Sequence, residues 1–387
     1  MNTRTWAEID LDALKHNIKE IRKITNKNSL VMATVKADAY GHGVLECARV
    51  LLENGADRLA VACLDEAIQL RRDGITAPIL ILGTSFEKEI IDIIENDVIC
   101  TVYDIEFAKK ISEVAKKMEK LAKIHIKLDT GMTRIGYVCG VNDDKIIDEI
   151  IEISKLENIL IEGIFSHFST ADEEQKDYTM LQFERFTKIC ESLKRKGVDI
   201  PIKHIANSAA IMMYPKTHMD MVRAGVILYG LYPSNEVDKS KIVLKKVMTV
   251  KSKIARVTEI CDNRGVSYGK TYITEGKTKI ATIPIGYADG YARRLSGKAK
   301  VVVKKEKCDV IGRICMDQCM IDVTNVNNIN AGDEVIIFGA DTVTADTLAS
   351  WLDTINYEIV CMMSKRIPRI FIQNGRTVNT LNYLSRL

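Results

Sequence analysis

Short apolar runs alternate with amphipathic ones through the first three-fifths of the chain, and this alternation limits the possible folds more than any other feature. Ser29–Val35, Arg58–Cys63, Pro78–Leu82, Val98–Val102, Ala122–Leu128, Ile159–Phe165, Ile202–Ala206 and Met219–Val222 each have the length and apolar content of a buried strand. The first seven are followed by helical spacing of apolar residues, at Val44–Asn54, Asp65–Arg72, Glu87–Glu95, Asp104–Glu119, Asn142–Lys155, Tyr178–Lys196 and a short segment from Ser208. Strands separated by helices run parallel with right-handed crossovers, and eight of them predict a closed (β/α)8 TIM-type barrel. An open doubly wound sheet is the rival. It favours a glycine-rich phosphate loop after the first strand, and GxGxxG is absent.

The pattern changes near Pro233-Ser234-Asn235. Strand-like runs then follow without long helices, at Lys245–Ile260, Thr278–Ile283, Ala299–Val303, Asp309–Ile314, Met320–Val323 and Glu334–Phe338, separated by turns such as Asn330-Ala331-Gly332-Asp333. They predict a mainly-β second domain with one late helical patch, Ala345–Met363. The expected division is a barrel over residues 1–235 and a β domain over 236–387, the extreme N-terminus being able to pack on the second domain. Leu11, Leu14, Ile18 and Ile21 mark a helix over Asp10–Lys23 that Asp10 is placed to cap.

Composition excludes several function classes. A net charge of +3 is too mild for a nucleic-acid or anionic-membrane protein, and the basic stretch Lys300–Lys307 (KVVVKKEK) reads as a strand with a solvated face. No apolar run reaches the length of a membrane span, and the N-terminus lacks the apolar core of a signal peptide. The ten cysteines include no CxxC pair and no zinc-site spacing, so reduced thiols and no metal are expected. A soluble cytoplasmic enzyme fits these features.

Chemistry-capable residues fall just past the carboxyl ends of the predicted strands. Lys36 follows the first strand; Asp129, Thr130 and Arg134 follow the fifth; Ser166 and His167 follow the sixth. Asn207 and Ser208 follow the seventh, and Arg223 and Gly225 the eighth. In a barrel these ends share one rim, where the active site forms and where phosphate binds after strands seven and eight. A lysine leaving a buried strand can lose solvation, drop its pKa and act as a Schiff-base nucleophile. Lysine, phosphate cradle and cations together point to pyridoxal phosphate. A Schiff-base aldolase shares those parts, but it leaves the β domain unexplained.

Those residues sit in motifs with a family pattern. Val35-Lys36-Ala37-Asp38-Ala39-Tyr40-Gly41-His42-Gly43, Asp129-Thr130-Gly131-Met132-Thr133-Arg134, Ser166-His167-Phe168, His204-Ile205-Ala206-Asn207-Ser208 and Arg223-Ala224-Gly225-Val226 occur in that order. Val266-Ser267-Tyr268-Gly269, Pro284-Ile285-Gly286-Tyr287 and Gly312-Arg313-Ile314-Cys315-Met316 follow in the second domain. The chain resembles the alanine racemases, fold-type III pyridoxal 5'-phosphate enzymes, over essentially its whole length.

The resemblance implies interconversion of L-alanine and D-alanine, supplying D-alanine for peptidoglycan. Lys36 would carry the cofactor and serve as one base, with Tyr268 as the other from the opposite face. Two bases suit racemisation, since one removes the α-proton and the other returns a proton to the far side. Tyr40, Ser208, Gly225, Val226 and Tyr357 would hold the phosphate, with Asn207 and His167 also at the cofactor. Arg223 would meet the pyridine nitrogen. Arg134 would hold the cofactor phenolate and, with the Met316 backbone N–H, the substrate carboxylate. Lys127 matches a position that some members carbamylate. Tyr287 and Asp172 would line the substrate corridor. The family implies a head-to-tail homodimer in which Tyr268 and Met316 reach the partner's lysine.

Three other classes share parts of this pattern. Barrel-only pyridoxal-phosphate-binding proteins lack a β domain and a counterpart of Tyr268. Barrel-type decarboxylases set a carboxylate where this chain aligns Arg223. A racemase of another or broader range, taking serine for example, is the serious alternative; some such relatives carry a membrane segment or an export signal, and the sequence shows neither.

Overall fold

The computed structural model describes residues 4–385. The chain divides into two compact units. One comprises Leu14–Ala39 and Val44–Lys245; the other comprises the chain up to Ala13, Tyr40–Gly43 and the chain from Lys246 on.

In the first unit all eight predicted strands are present: β1 (Leu30–Thr34), β2 (Arg58–Val61), β3 (Ile79–Ile81), β4 (Cys100–Val102), β5 (Ala122–Asp129), β6 (Ile159–Phe165), β7 (Ile202–His204) and β8 (Met221–Ala224). Parallel ladders join β8-β1-β2-β3 and β4-β5-β6-β7. The seams close through a parallel bridge between Leu80 and Ile99, and through Arg223 N–H donating to the Ala206 carbonyl at 3.0 Å. A barrel results. Its interior includes the buried set Met32, Ala60, Leu80, Ile99, Ile202 and Met221. The helices bury one stripe each. Ile105–Lys117, for instance, buries Ala108, Ile111 and Ala115, is capped by Asp104 accepting from Glu106 N–H, and ends on Lys116 and Lys117 where cations favour the helix dipole.

The second unit is a ten-stranded sheet in the order Arg256–Ile260, Thr278–Ile283, Cys319–Asp322, Glu306–Ile311, Lys300–Val303, Glu334–Phe338, Met248–Lys253, Thr5–Asp10, Arg369–Gln373, Arg376–Leu381. The N-terminal strand Thr5–Asp10 lies antiparallel to Met248–Lys253 and parallel to Arg369–Gln373. Asp10 then caps the helix Leu11–Ile24 by accepting from Ala13 N–H at 2.8 Å.

Three expectations need correction. Lys300–Lys307 is a hairpin rather than one strand: Lys304 and Lys305 both have positive φ and turn the chain, while Val301, Val302 and Val303 are buried. The run Lys245–Ile260 is two strands, because the chain changes partners at Ile254-Ala255. The patch Ala345–Met363 is two helices, Ala345–Leu352 and Asn356–Cys361, broken at Asp353 with φ 58°.

Candidate active site

The chain leaves β1 through Val35, whose N–H donates to the Ala60 carbonyl at 2.9 Å, and reaches the half-buried Lys36. Its next four residues, Ala37, Asp38, Ala39 and Tyr40, have φ of 51°, 56°, 55° and 54°, and Gly41 follows at 80°. This is a left-handed turn built from L-residues, at a cost of roughly 1–2 kcal/mol for each non-glycine member. Specific hydrogen bonds hold it. In the barrel unit Ala37 N–H donates to Glu66 Oε1 at 2.6 Å, and Asp38 Oδ1 accepts from Val44 N–H at 2.8 Å where the helix Val44–Glu53 begins. In the β unit the Gly41 carbonyl accepts from Nε of the buried Arg369 at 2.9 Å, and a Cβ on Gly41 would lie 2.4 Å from the Val360 carbonyl oxygen.

At the end of β5 the loop wraps around one carboxylate. Asp129 Oδ1 accepts from Gly131 and Thr133 N–H, and Oδ2 accepts from Arg134 N–H at 2.8 Å. Burial alone would raise the Asp129 pKa; the three backbone donors and Lys127 bring it below its usual value. The same loop leaves the Arg134 side chain exposed. Lys127, two residues earlier on β5, is buried, donates to the Leu128 carbonyl at 2.7 Å and stands 5.1 Å from the centre of the Phe165 ring. Burial, helped by Arg223 and Arg134, lowers its pKa to about 7.

Arg223, on β8 and 4% exposed, is held on several sides. Its Nη1 donates to His204 Nδ1 at 2.8 Å and to the His204 carbonyl; its Nη2 donates to the Ser166 carbonyl at 2.7 Å, to the Ile205 carbonyl and to His167 Nδ1 at 3.1 Å. Of its five N–H donors, Nε–H alone meets no acceptor among the described residues. Burial and then Arg134 lower the guanidinium to about 9. Burial keeps His167 neutral, reinforced by the positive charges of Arg223, Arg134, Lys127 and Lys36.

After β7, Asn207 caps the helix Ser208–Met213 by accepting from Ala210 N–H, and Ser208 Oγ accepts from Gly225 N–H at 2.9 Å. Val226 opens the turn that follows Gly225. Asp172 in the same unit accepts a hydrogen bond from Ser234 on its backbone carbonyl. The barrel unit thus brings together Lys127, His167 and Arg223, and separately Asn207, Ser208 and Gly225.

In the β unit, Tyr40 is buried with its ring centre 6.3 Å from that of Tyr357, and burial raises its pKa so that the phenol keeps its proton. Tyr268 stands at the tip of a hairpin, Gly265–Val266 paired with Tyr272–Ile273. Ser267 Oγ ties the tip to the Arg313 carbonyl at 2.6 Å. Tyr287 N–H donates to the Cys315 carbonyl and Ala288 N–H to the Met316 carbonyl, an approach that only a glycine at 286 allows, since its Cβ would fall 2.3 Å from the Cys315 oxygen. Tyr268, Tyr287 and Met316 therefore sit on linked loops, exposed by 67%, 41% and 53%.

Sequence reading missed the residues behind Arg223: His204, His125, Glu162 and Arg58. On β5 the signal was present, because Lys123, His125, Lys127 and Asp129 alternate strictly with apolar residues.

Comparison with known proteins covers nearly the whole chain. Residues 9–233 match the family described as alanine racemase, N-terminal domain, and residues 247–371 match alanine racemase, C-terminal domain. An alanine racemase of Clostridium tetani (strain Massachusetts / E88) is 51% identical over 383 residues, 98% of each chain. The solved structure of an alanine racemase from Clostridium difficile 630 superposes with a TM-score of 0.95 at 45% identity, covering 99% of this chain and 100% of that one. That of alanine racemase from Bacillus anthracis with bound L-Ala-P has a TM-score of 0.93 at 38% identity over 100% of both chains.

Proposed function

The chain belongs to the alanine racemase family, and from that premise we propose that it interconverts L-alanine and D-alanine with pyridoxal 5'-phosphate, as a cytoplasmic homodimer supplying D-alanine for peptidoglycan. The observation that carries the cofactor reading is Arg223. A buried guanidinium whose Nη hydrogens are all committed, with Nε–H left over, suits a neutral ring nitrogen that accepts one hydrogen bond. In the barrel unit the Ser208 hydroxyl, which already accepts from Gly225 N–H, keeps its own proton to donate, and with the Val226 N–H it suits a phosphate. By the family pattern Gly225 would line that phosphate, and Tyr40, which keeps its proton, would serve it together with Tyr357. Bound there, the cofactor would supply the electron sink that makes the α-proton of an amino acid removable.

The chain's own residues supply the rest. Lys36 would attach the cofactor and handle the α-proton on one face through Nζ, and Tyr268 would handle it on the other through its phenol oxygen. Arg134 would hold the substrate carboxylate with the Met316 N–H, and Tyr287 and Asp172 would line the approach. Asn207 serves by capping the Ser208 helix. The exposure of Tyr268, Tyr287 and Met316 together supports completion of the site by a second copy of the chain. A Lys127 amine near pKa 7 is substantially unprotonated at neutral pH, the form that adds carbon dioxide to give a carbamate anion with loss of a proton.

The test is incubation of the purified protein with a panel of L-amino acids in heavy water, reading chirality and α-deuterium. Rapid exchange confined to alanine is the expected result; equal exchange on serine would favour the broader racemase, and no exchange on any substrate would refute the reading. Borohydride reduction followed by peptide mass mapping should locate the cofactor on Lys36.

A further inference from the structure

Behind Arg223 the barrel interior holds a row of polar side chains to which the proposed mechanism gives no role. Arg223 Nη1 lies 2.8 Å from His204 Nδ1, His204 Nε2 lies 2.9 Å from His125 Nδ1, and His125 Nε2 lies 3.1 Å from Glu162 Oε2. Arg58 Nη1 completes the row at 2.6 Å from the same Glu162 oxygen. Both imidazoles are fully buried, and the His204 ring stacks on Phe165 at 4.9 Å with an 8° interplanar angle.

The row is built into the strands. In the β5–β6 ladder Ile124 faces Ile161 but His125 faces Gly163, so Glu162 is the extra residue of a β-bulge. Glu162 reaches His125 with its carboxylate, and a Cβ on Gly163 would lie 2.5 Å from the same ring. Two successive positions of β6 therefore face His125, and only because the second is glycine does the imidazole fit.

The end groups dictate the direction of the hydrogen bonds. A guanidinium only donates, and an ionised carboxylate only accepts. Two neutral imidazoles between them have one consistent arrangement, in which each carries its proton on Nε2 and its lone pair on Nδ1. Burial keeps both neutral, with Arg223 adding to the effect at His204 and opposed by Glu162 at His125. Burial would raise Glu162, but His125 and Arg58 outweigh it and bring the carboxyl down to about 2.

We propose that Glu162 is a positioning residue that fixes the tautomers of His125 and His204 and thereby orients the Arg223 guanidinium. Its value to catalysis rests on the cofactor reading of Arg223; its existence does not. The reversed tautomers would set a His204 N–H against an Arg223 N–H, donor facing donor, and displace the guanidinium.

The experiment is long-range 1H–15N NMR of the purified full-length protein with 15N-labelled histidine, which separates pyridine-type from pyrrole-type ring nitrogens. Wild type should show pyridine-type Nδ1 and pyrrole-type Nε2 at both histidines; a proton on Nδ1, or a charged ring, at either one overturns the proposal. Glu162→Leu removes the acceptor, leaves Arg223 alone to order the row, and should weaken the pyridine-type Nδ1 signal at His204 on the neighbouring strand β7, whereas Glu162→Gln keeps an acceptor oxygen and should retain it. An unchanged His204 spectrum in the Leu variant also overturns the proposal. If that variant does not fold, the wild-type and Gln spectra still decide it. A displaced Arg223 would no longer keep the cofactor's ring nitrogen unprotonated, and a protonated ring is the stronger electron sink and favours reprotonation away from the α-carbon. In the cofactor-loaded Leu variant the fraction of turnovers lost to transamination should therefore rise several-fold. Altered tautomers with an unchanged fraction would uphold the positioning role of Glu162 and refute the ring-nitrogen role given to Arg223.

Discussion

Ala37 shows what the site costs at the scale of one residue. It is exposed and holds φ at 51° in a left-handed run. Ala37→Gly removes a penalty of about 1–2 kcal/mol and adds about 0.4–1 kcal/mol of unfolded-state entropy, so a net stabilisation of about 0.5–1 kcal/mol is expected in urea titrations. Activity should fall all the same, because the residue after Lys36 is then free to sample other backbone angles. Glu162 gives a pH signature. Its folded value of about 2 lies below the ordinary 4.5, so its contribution is complete above pH 4.5 and is lost as pH falls toward 2. The stability gap between wild type and Glu162→Leu should therefore narrow from pH 7 to pH 3, by about 2 kcal/mol at most. A gap that does not change with pH would contradict the ion pair. Neither feature was legible in the sequence: Ala, Asp, Ala and Tyr after a strand spell an ordinary helix start, and Glu162 reads as one polar position in ILIEGIF.

Among elements, the strands were the most legible. Ile159–Phe165, Thr278–Ile283 and Glu334–Phe338 have the bounds that their apolar runs predict. What the pattern could not convey was register. The β6 bulge depends on which residue of β5 lies opposite, and that is a property of two segments together. The Lys300–Lys307 hairpin was hidden because Lys304 and Lys305 lack the glycine or asparagine that usually marks so tight a turn. The bulge yields its own prediction. Gly163→Ala would put a methyl into the His125 ring and should destabilise the protein by about 1–3 kcal/mol. The measurement is chemical denaturation, and Gly163→Ser should be no better tolerated. A near-neutral alanine variant would mean that the imidazole row can shift as a body.

For the whole molecule, the barrel followed directly from the alternation of runs, whereas the strand at Thr5–Asp10 did not. Its sheet partners lie at Met248–Lys253 and Arg369–Gln373, far beyond any local window. The shared-site proposal also belongs here. Mixing Lys36→Ala with Tyr268→Phe subunits should restore about a quarter of the wild-type activity, since random pairing makes half the dimers mixed and each has one complete site. No recovered activity would place both residues of a site in one chain.

The position of that first strand has a consequence in time. Synthesis delivers Trp6, Ala7 and Ile9 first, yet the strands that cover them emerge last. At ~5–20 residues per second the wait is roughly 10–50 s for Met248 and 20–70 s for Arg369. Until then an apolar strand with two open edges trails from a barrel whose own strands are already complete. Stalled chains released at residue 245 should expose it to protease, while full-length chains protect its amides in hydrogen exchange as well as those of Met248–Lys253. Equal protection in both would show that the strand finds cover elsewhere while it waits.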